Sequence, residues 1–420
     1  MAEQYWIETL GCPKNDVDSD KLVGRLDSQG MARADRPEDA DLVVVNTCAF
    51  IEAARQESID TVLELSDRAE DARVVVTGCM AERYGDELAS ALPEVDAVSG
   101  FGVPVTLGRK PDAAPLPEFD LLNLPRPASS RPWAYVKVAE GCDRNCGFCA
   151  IPSFRGPQRS RTHESILGEV RSLEAKEIVL VAQDLASFGR DQGQGERTIG
   201  TLVREVDEIV ERVRLLYLYP SDLTEDLITS ILDTGVPYFD LSLQHVSRPL
   251  LRRMRRWGDG ERFLDRINDI RELDASAAFR SNFIVGYPGE TEEDHDALLD
   301  FVDTAQLDWC GFFSYSKEDG TYAADLDGEV APDLVRQRLG ELTELQDQIT
   351  ANRRDQLIGE TLTILIDEPG IGRTHREAPE IDGVVHVCND LGVGEMHAVA
   401  IAGALGPDLL ADGAVIEDVE

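Results

Sequence analysis

The sequence predicts an α/β chain in three parts: an N-terminal parallel α/β domain, a central (β/α)6 open barrel and a C-terminal small OB-like β-barrel. Three observations predict it. Near-continuous apolar runs of strand length alternate with helical patterns, which is how a parallel sheet covered on both faces reads. Six such strand–helix units follow one another between Ala134 and Ser316. The end of the chain then breaks into short strands with glycine-rich connections, the pattern of a small barrel.

Each part can be justified in order. In the first, expected at residues 1–112, YWIETLG (Tyr5 to Gly11), DLVVVNT (Asp41 to Thr47) and ARVVVTG (Ala72 to Gly78) read as strands, each followed by a helical pattern. Residues 113–131 are rich in proline and lack periodicity, so they read as a linker. The central part, 132–355, has strands at AYVKVAE, EIVLVAQ, VRLLYLY, YFDLSLQ, FRSNFIVG and CGFFSYS. Between them, Leu223, Leu227, Ile228, Ile231 and Leu232 share one helical face, with Gly235 as the stop. Thr291 and Asp294 form a capping box. In barrels of this kind, function lies at the C-terminal strand ends. A long amphipathic helix is expected over 334–359. After it, in the part expected at 356–420, come strands at ETLTILIDE, GVVHVC, MHAVAIA and AVIEDV.

Composition narrows the class. The 420 residues carry 80 Asp and Glu against 41 Lys and Arg, a net charge of -39. A surface of that sign repels phosphate backbones and attracts basic partners. A salt-adapted host would give the same balance. No long uncharged apolar run suggests a membrane span, and the N-terminus lacks the basic region and apolar core of a signal peptide. A cytoplasmic location is therefore expected. There, clustered cysteines bind metal or do chemistry more often than they form disulfides.

Cys142, Cys146 and Cys149 are spaced C-x-x-x-C-x-x-C just past the first strand of the central part, at its functional rim. Three thiolates can hold three irons of a cubane and leave the fourth open to a small ligand. Zinc, with His163 as a fourth ligand, is the competing reading, but zinc usually takes separated C-x-x-C pairs. Cys12, Cys48 and Cys79 each follow a strand of the first part. If those strands are parallel, the three thiols meet in the crevice where such sheets bind ligands. Cys310 and Cys388 lie in apolar stretches and read as structural.

Together these features resemble the methylthiotransferase family of radical S-adenosylmethionine enzymes, over nearly the whole chain. The stretch TLGCPKN with VDS after it is similar to the ribosomal-protein branch; the transfer-RNA branch more often has a YGCQMN-like stretch. GCDRNCGFCAIPSFRGPQRSR (Gly141 to Arg161), SLQH (Ser242 to His245), RRMRR (Arg252 to Arg256) and FIVGYPGET (Phe283 to Thr291) fit the same branch. Trp257 departs from it, standing where the family more often has glycine.

The resemblance implies a radical S-adenosylmethionine core, a C-terminal TRAM barrel, two 4Fe-4S clusters held by the six cysteines, and S-adenosylmethionine as both methyl donor and radical source. It implies methylthiolation of the β-carbon of one aspartate in ribosomal small-subunit protein S-twelve. The alternative is a transfer-RNA methylthiotransferase acting on a modified adenosine beside the anticodon. An electron donor such as flavodoxin or ferredoxin is implied, and nucleic-acid contact is at most indirect. An unactivated C–H bond needs a radical rather than a base, so no general base is assigned. The carbon radical then needs sulfur held within reach. By the same resemblance, Gln183 and Asp184 lie where the superfamily contacts the cofactor amino group. Gly286, Gly289 and Glu290 lie in a turn whose glycines let backbone approach the cofactor, or form an ordinary turn before the capped helix. His245 is either a cavity contact or a structural histidine. Arg155, Arg159 and Arg161 bind a carboxylate or form ion pairs. From Asp355 onward, 14 acidic residues face only Arg373 and Arg376. Such a barrel is a poor phosphate binder and suits a basic protein.

Overall fold

The computed structural model describes residues 3–101, 120–193 and 195–414. The first part runs β1 (Gln4–Thr9), α1 (Pro13–Ser28), β2 (Ala32–Arg33), β3 (Leu42–Thr47), α2 (Glu52–Arg68), β4 (Arg73–Gly78), α3 (Cys79–Ala91) and β5 (Ala97–Val98). Its sheet has the order β2-β1-β3-β4-β5 and every pair is parallel. The continuous apolar runs are explained by burial on both faces, because alternate residues point to opposite sides. Val43, Val45, Val74 and Val76 pack with Val62, Leu65 and Leu88 of α2 and α3. Leu42, Val44 and Val75 pack instead with Leu22 and Leu26 of α1.

The central part contains β6 (Trp133–Lys137), β7 (Ala139–Glu140), α4 (Ile151–Arg155), β8 (Arg159–Ser160), α5 (His163–Leu173), β9 (Glu177–Val181), α6 (Ile199–Asp207) and β10 (Arg212–Leu215). It continues with α7 (Glu225–Asp233), β11 (Tyr238–Gln244), α8 (Arg248–Arg253), α9 (Gly260–Leu273), β12 (Ala278–Val285), α10 (Glu292–Ala305), β13 (Trp309–Ser314) and α11 (Pro332–Asp355). Strands β6, β9 and β10 form one parallel sheet and β11, β12 and β13 another. A parallel bridge from Leu218 to Leu241 joins them into one curved wall of six. Helices cover its outer side, where Val136, Leu180, Leu215 and Phe279 pack with Ile166, Leu202, Leu227 and Ile267. The alternate residues therefore face inward. Tyr135, Val181, Tyr238, Ala278 and Trp309 form that inner core, and Val17 of α1 packs among them. Helix α1 thus closes the open barrel from within.

The C-terminal part is a closed barrel of β14 (Thr361–Glu368), β15 (Ile371–Arg373), β16 (Val385–His386), β17 (Met396–Leu405) and β18 (Asp408–Ala411), in the order β14-β15-β16-β18-β17. Buried ion pairs lock it to the core: Glu177, at the start of β9, pairs with both Arg214 and Arg373.

The capping box at Thr291 and Asp294 is present, and Thr224 caps α7. Two differences concern short elements. Strands β2, β5, β15 and β18 are too brief to show an apolar period. The long helix begins at Pro332 and stops at Asp355, four residues before Gly359. The expected strand AVIEDV lies outside the described residues from Val415 on, as does the expected linker up to Phe119.

Candidate functional site

The parallel pairing of β1, β3 and β4 sends their C-terminal ends to one edge, and Cys12, Cys48 and Cys79 follow directly. A sheet of this order binds ligands at that edge, next to the point where the order reverses between β1 and β3. Asn15, fully buried, stitches the cysteine loops together. Its Nδ2 donates to the carbonyls of Leu10 (2.8 Å) and Thr47 (3.1 Å), and its Oδ1 accepts from Cys79 Sγ at 3.7 Å. Burial pushes the Cys48 thiol up to about 11, with Cys12 and Cys79 close enough to add to the effect. Burial raises Cys79 as well.

The second thiol set lies in the loop after β7. Gly147 at its centre is tied on both sides, its N–H donating to Met254 O (2.8 Å) and its carbonyl accepting from Ala323 N (2.7 Å). The sulfurs already receive hydrogen bonds: Cys142 Sγ from Arg144 N (3.4 Å) and Cys146 Sγ from Arg256 Nη1 (3.2 Å). Burial pushes Cys142 up to about 11 and Cys149 up to about 12. Burial thus favours the protonated thiol at Cys48, Cys79, Cys142 and Cys149, and bound metal would supply the charge that holds thiolates there.

Arg155, at the end of α4, spans the two sets. Its guanidinium donates to Cys79 Sγ (2.9 Å), Asn15 Oδ1 (3.1 Å) and Glu140 Oε1 (2.7 Å). Glu140 precedes Gly141 and Cys142. It is buried, which would raise its carboxyl, but Arg155 and Lys137 hold it well below the usual range. Lys137 also pairs with buried Asp18 of α1. A chain of charges thus runs from α1 through both cysteine regions.

Among the described residues, no group of three or more His, Cys, Asp and Glu stands in an arrangement that holds a single metal ion. His163 is engaged elsewhere, between Glu205 (2.5 Å) and Thr198 (3.1 Å), and so stands apart from the zinc reading. A cubane takes each thiolate on a different iron, so three convergent but separated thiols suit it. Both donor sets fit such a cluster in chemistry and in number.

Family models match three stretches of the chain: Uncharacterized protein family UPF0004 at residues 4–100, the Radical SAM superfamily at 136–302 and the TRAM domain at 358–413. Three relatives, all called "Ribosomal protein uS12 methylthiotransferase RimO", were compared over nearly full length. That of Kineococcus radiotolerans is 40% identical, covering 97% of this chain and 96% of the relative. That of Saccharopolyspora erythraea is 42% identical, over 96% and 93%. That of Moorella thermoacetica is 43% identical, over 91% and 93%. The chain belongs to this methylthiotransferase family. It is a radical S-adenosylmethionine methylthiotransferase. Among solved structures, the radical S-adenosylmethionine methyltransferase TsrM from Kitasatospora setae aligns with a TM-score of 0.50 at 14% identity, covering 83% of this chain and 89% of that one. That likeness shows the fold.

Against this background the remaining side chains sort by their partners. Gln183 Nε2 donates to Glu140 Oε1 (2.8 Å), which leaves its buried Oε1 without a partner. Asp184 is bound by Arg144 (2.6 Å). Glu290 Oε2 accepts the N–H groups of Gly286 (2.6 Å) and Tyr287 (3.2 Å), and its other oxygen takes Arg338 (2.8 Å). Glu290 therefore braces the turn. Gly286 and Gly289 have φ of 81° and 87°, a region glycine adopts at little cost. A Cβ there would meet Val335 and Arg253, so the close approach seen at these glycines is to protein. His245 is buried and burial lowers it to about 4; its Nδ1 accepts Ser247 N–H (3.0 Å) and its Nε2 has no partner. Arg159 and Arg161 are spent in ion pairs with Asp120 and Glu169. Trp257, 43% exposed, leans on Phe263. Tyr217, Gln244 and Arg255 have φ of 67°, 71° and 56° although none is glycine; Gln244 ends β11 and Tyr217 lies just past β10. Such strain collects at functional sites. Asn15, Glu140 and Arg256 were not singled out from the sequence. Their signal was position alone, each lying inside or beside a quoted motif.

Proposed function

We propose that this enzyme methylthiolates ribosomal protein uS12, the protein its relatives' names give as theirs, and that the position modified is the β-carbon of an aspartate. In this reading Cys142, Cys146 and Cys149 hold a 4Fe-4S cluster with an open iron, and Cys12, Cys48 and Cys79 hold a second. With S-adenosylmethionine bound, these groups would supply a radical that removes hydrogen from an unactivated carbon, and a sulfur that carries the methyl group. One observation carries the reading: two sets of three thiols stand at the C-terminal ends of two parallel sheets, and one buried arginine links them.

The chain's own residues then have defined tasks. Gln183 offers its unpartnered Oε1 as an acceptor for the cofactor's ammonium, the amide being oriented by the ionised Glu140. Gly286 and Gly289, with Glu290 as brace, shape the turn beside the cofactor. Arg256 and the backbone at Arg144 donate to thiolate sulfur, which stabilises the anionic form. Arg155 does the same for Cys79 and fixes the distance between the two sites. Arg373 and Arg376, the C-terminal barrel's two arginines, are turned into buried pairs with Glu177 and Asp308. The barrel's outward charge is therefore acidic, which favours a basic ribosomal protein over a phosphate backbone. An electron donor such as flavodoxin or ferredoxin would complete the cycle.

The test is a reconstituted reaction with reductant, S-adenosylmethionine and uS12, read by tandem mass spectrometry. A methylthio group on one aspartate β-carbon is the expected product. If uS12 stays unmodified while an adenosine in added transfer RNA gains the group, the transfer-RNA reading replaces this one.

A further inference from the structure

Lysine is scarce in this chain, and carboxylates outnumber all its cations by nearly two to one. Most lysines are accordingly paired. Lys21 meets Glu169, Lys137 meets Asp18 and Glu140, Lys176 meets Glu211 and Lys317 meets Glu329. Lys110 lies outside the described residues. Lys14 is different. Among the described residues it joins no ion pair, and its Nζ stands 3.4 Å from the centre of the Tyr217 ring.

Its position gives that isolation a meaning. Lys14 lies in the first turn of α1, two residues after Cys12, and is 9% exposed. Val17, one turn on, packs in the barrel's inner core, so this turn of α1 faces the barrel interior. Tyr217 lies just past the C-terminal end of β10, on the rim that carries the chemistry. Cys12, Arg155, Cys79 and Asp240 lie within electrostatic reach, and Arg155 is spent on Glu140, Asn15 and Cys79. Asp240 is engaged with other groups: it accepts Tyr217 N–H at 2.9 Å and pairs with Arg280 at 3.3 Å. A buried lysine that has an aromatic face beside it and, among the described residues, no ion pair is under-compensated. A carboxylate brought beside it would complete it.

We infer that Lys14 binds the side-chain carboxylate of the substrate aspartate and so makes the enzyme selective for an acidic residue. This rests on the uS12 reading above. The carbon that loses hydrogen is bonded directly to the carboxylate carbon, so a cation fixed beside the Cys12–Cys79 set brings that carbon to the place where sulfur is offered. Lys14 is a binding residue in this account and transfers no proton.

The experiment uses the cluster-loaded enzyme and two probes, intact uS12 and uS12 with the target aspartate changed to asparagine, with affinity read by fluorescence anisotropy. Wild type is expected to prefer the aspartate form by about 10–100-fold, the range for a hydrogen bond to a charged group. Lys14→Gln is expected to bind both forms alike, at the level of the asparagine form, with its iron–sulfur absorbance intact. Lys14→Arg is expected to restore part of the preference. A Lys14→Gln enzyme that keeps the wild-type preference overturns the inference. So does one that has lost its iron–sulfur absorbance, because Lys14 would then serve the cluster. If wild type binds neither form, the uS12 reading itself fails and the inference falls with it.

Discussion

Replacing Arg155 by glutamine removes the buried guanidinium between the two cysteine regions. The side chain is 3% exposed and serves Glu140, Asn15 and Cys79, with Asp18 3.6 Å away. Breaking a buried pair from one side costs about 3–5 kcal/mol, because the other charge is left uncompensated. Glu140 keeps Lys137 and Gln183, so the lower end applies, about 3 kcal/mol. At roughly 2–4 °C per kcal/mol for a large domain, the melting point should fall by about 6–12 °C. Scanning calorimetry of the iron-free chain measures this without any contribution from bound clusters. Arg155→Lys keeps a charge but cannot fork across three partners, so about half the loss is expected. A glutamine variant melting within about 2 °C of wild type would refute the reasoning, since no such fall would then be tied to the bridge.

Four further substitutions have expected outcomes. Cys142→Ala should halve the iron content and abolish cleavage of S-adenosylmethionine. Cys79→Ala should also halve the iron, yet still cleave the cofactor and give no methylthiolated product; iron assay and chromatography of 5′-deoxyadenosine separate the two. Gln183→Leu should weaken cofactor binding about 10-fold by calorimetric titration, the low end for a lost hydrogen bond to a charged group. Asp16 is pushed up to about 7 by burial, with Glu380 and Asp20 adding to it. A folded value above the unfolded one, about 3.9, means that its contribution is intact below that value and is lost as pH rises through 7. Asp16→Asn should therefore gain more melting temperature over wild type at pH 8 than at pH 5, and equal gains would exclude the effect.

Much of the fold was legible because the long strands have strong signals. Val43 to Val45 and Val74 to Val76 admit only a strand buried on both faces, and each of the three N-terminal strand ends carried its cysteine in plain view. The two-residue strands gave no period to read. Strands β15 and β18 sit in turn-rich sequence that looks like loop. The site was legible only where chemistry is local. C-x-x-x-C-x-x-C declares itself within eight residues, whereas the Arg155–Cys79 contact joins positions 76 residues apart and needs the docking of two domains to exist. The turn at Gly286 to Glu290 could be read for the cofactor from its glycines, whereas the nearness of Val335 and Arg253 to those glycines is revealed only by packing. Arg373 and Arg376 could be counted in the sequence; their burial, which leaves the C-terminal barrel's surface acidic, could not.

The central claim is that this enzyme's substrate is uS12. The most direct measurement is the intact mass of uS12 in ribosomes from cells with and without the gene. The account predicts that the protein from the deletion strain is lighter by one methylthio group in place of hydrogen, and that restoring the gene restores the mass. Identical masses from cells shown to make the enzyme would contradict it.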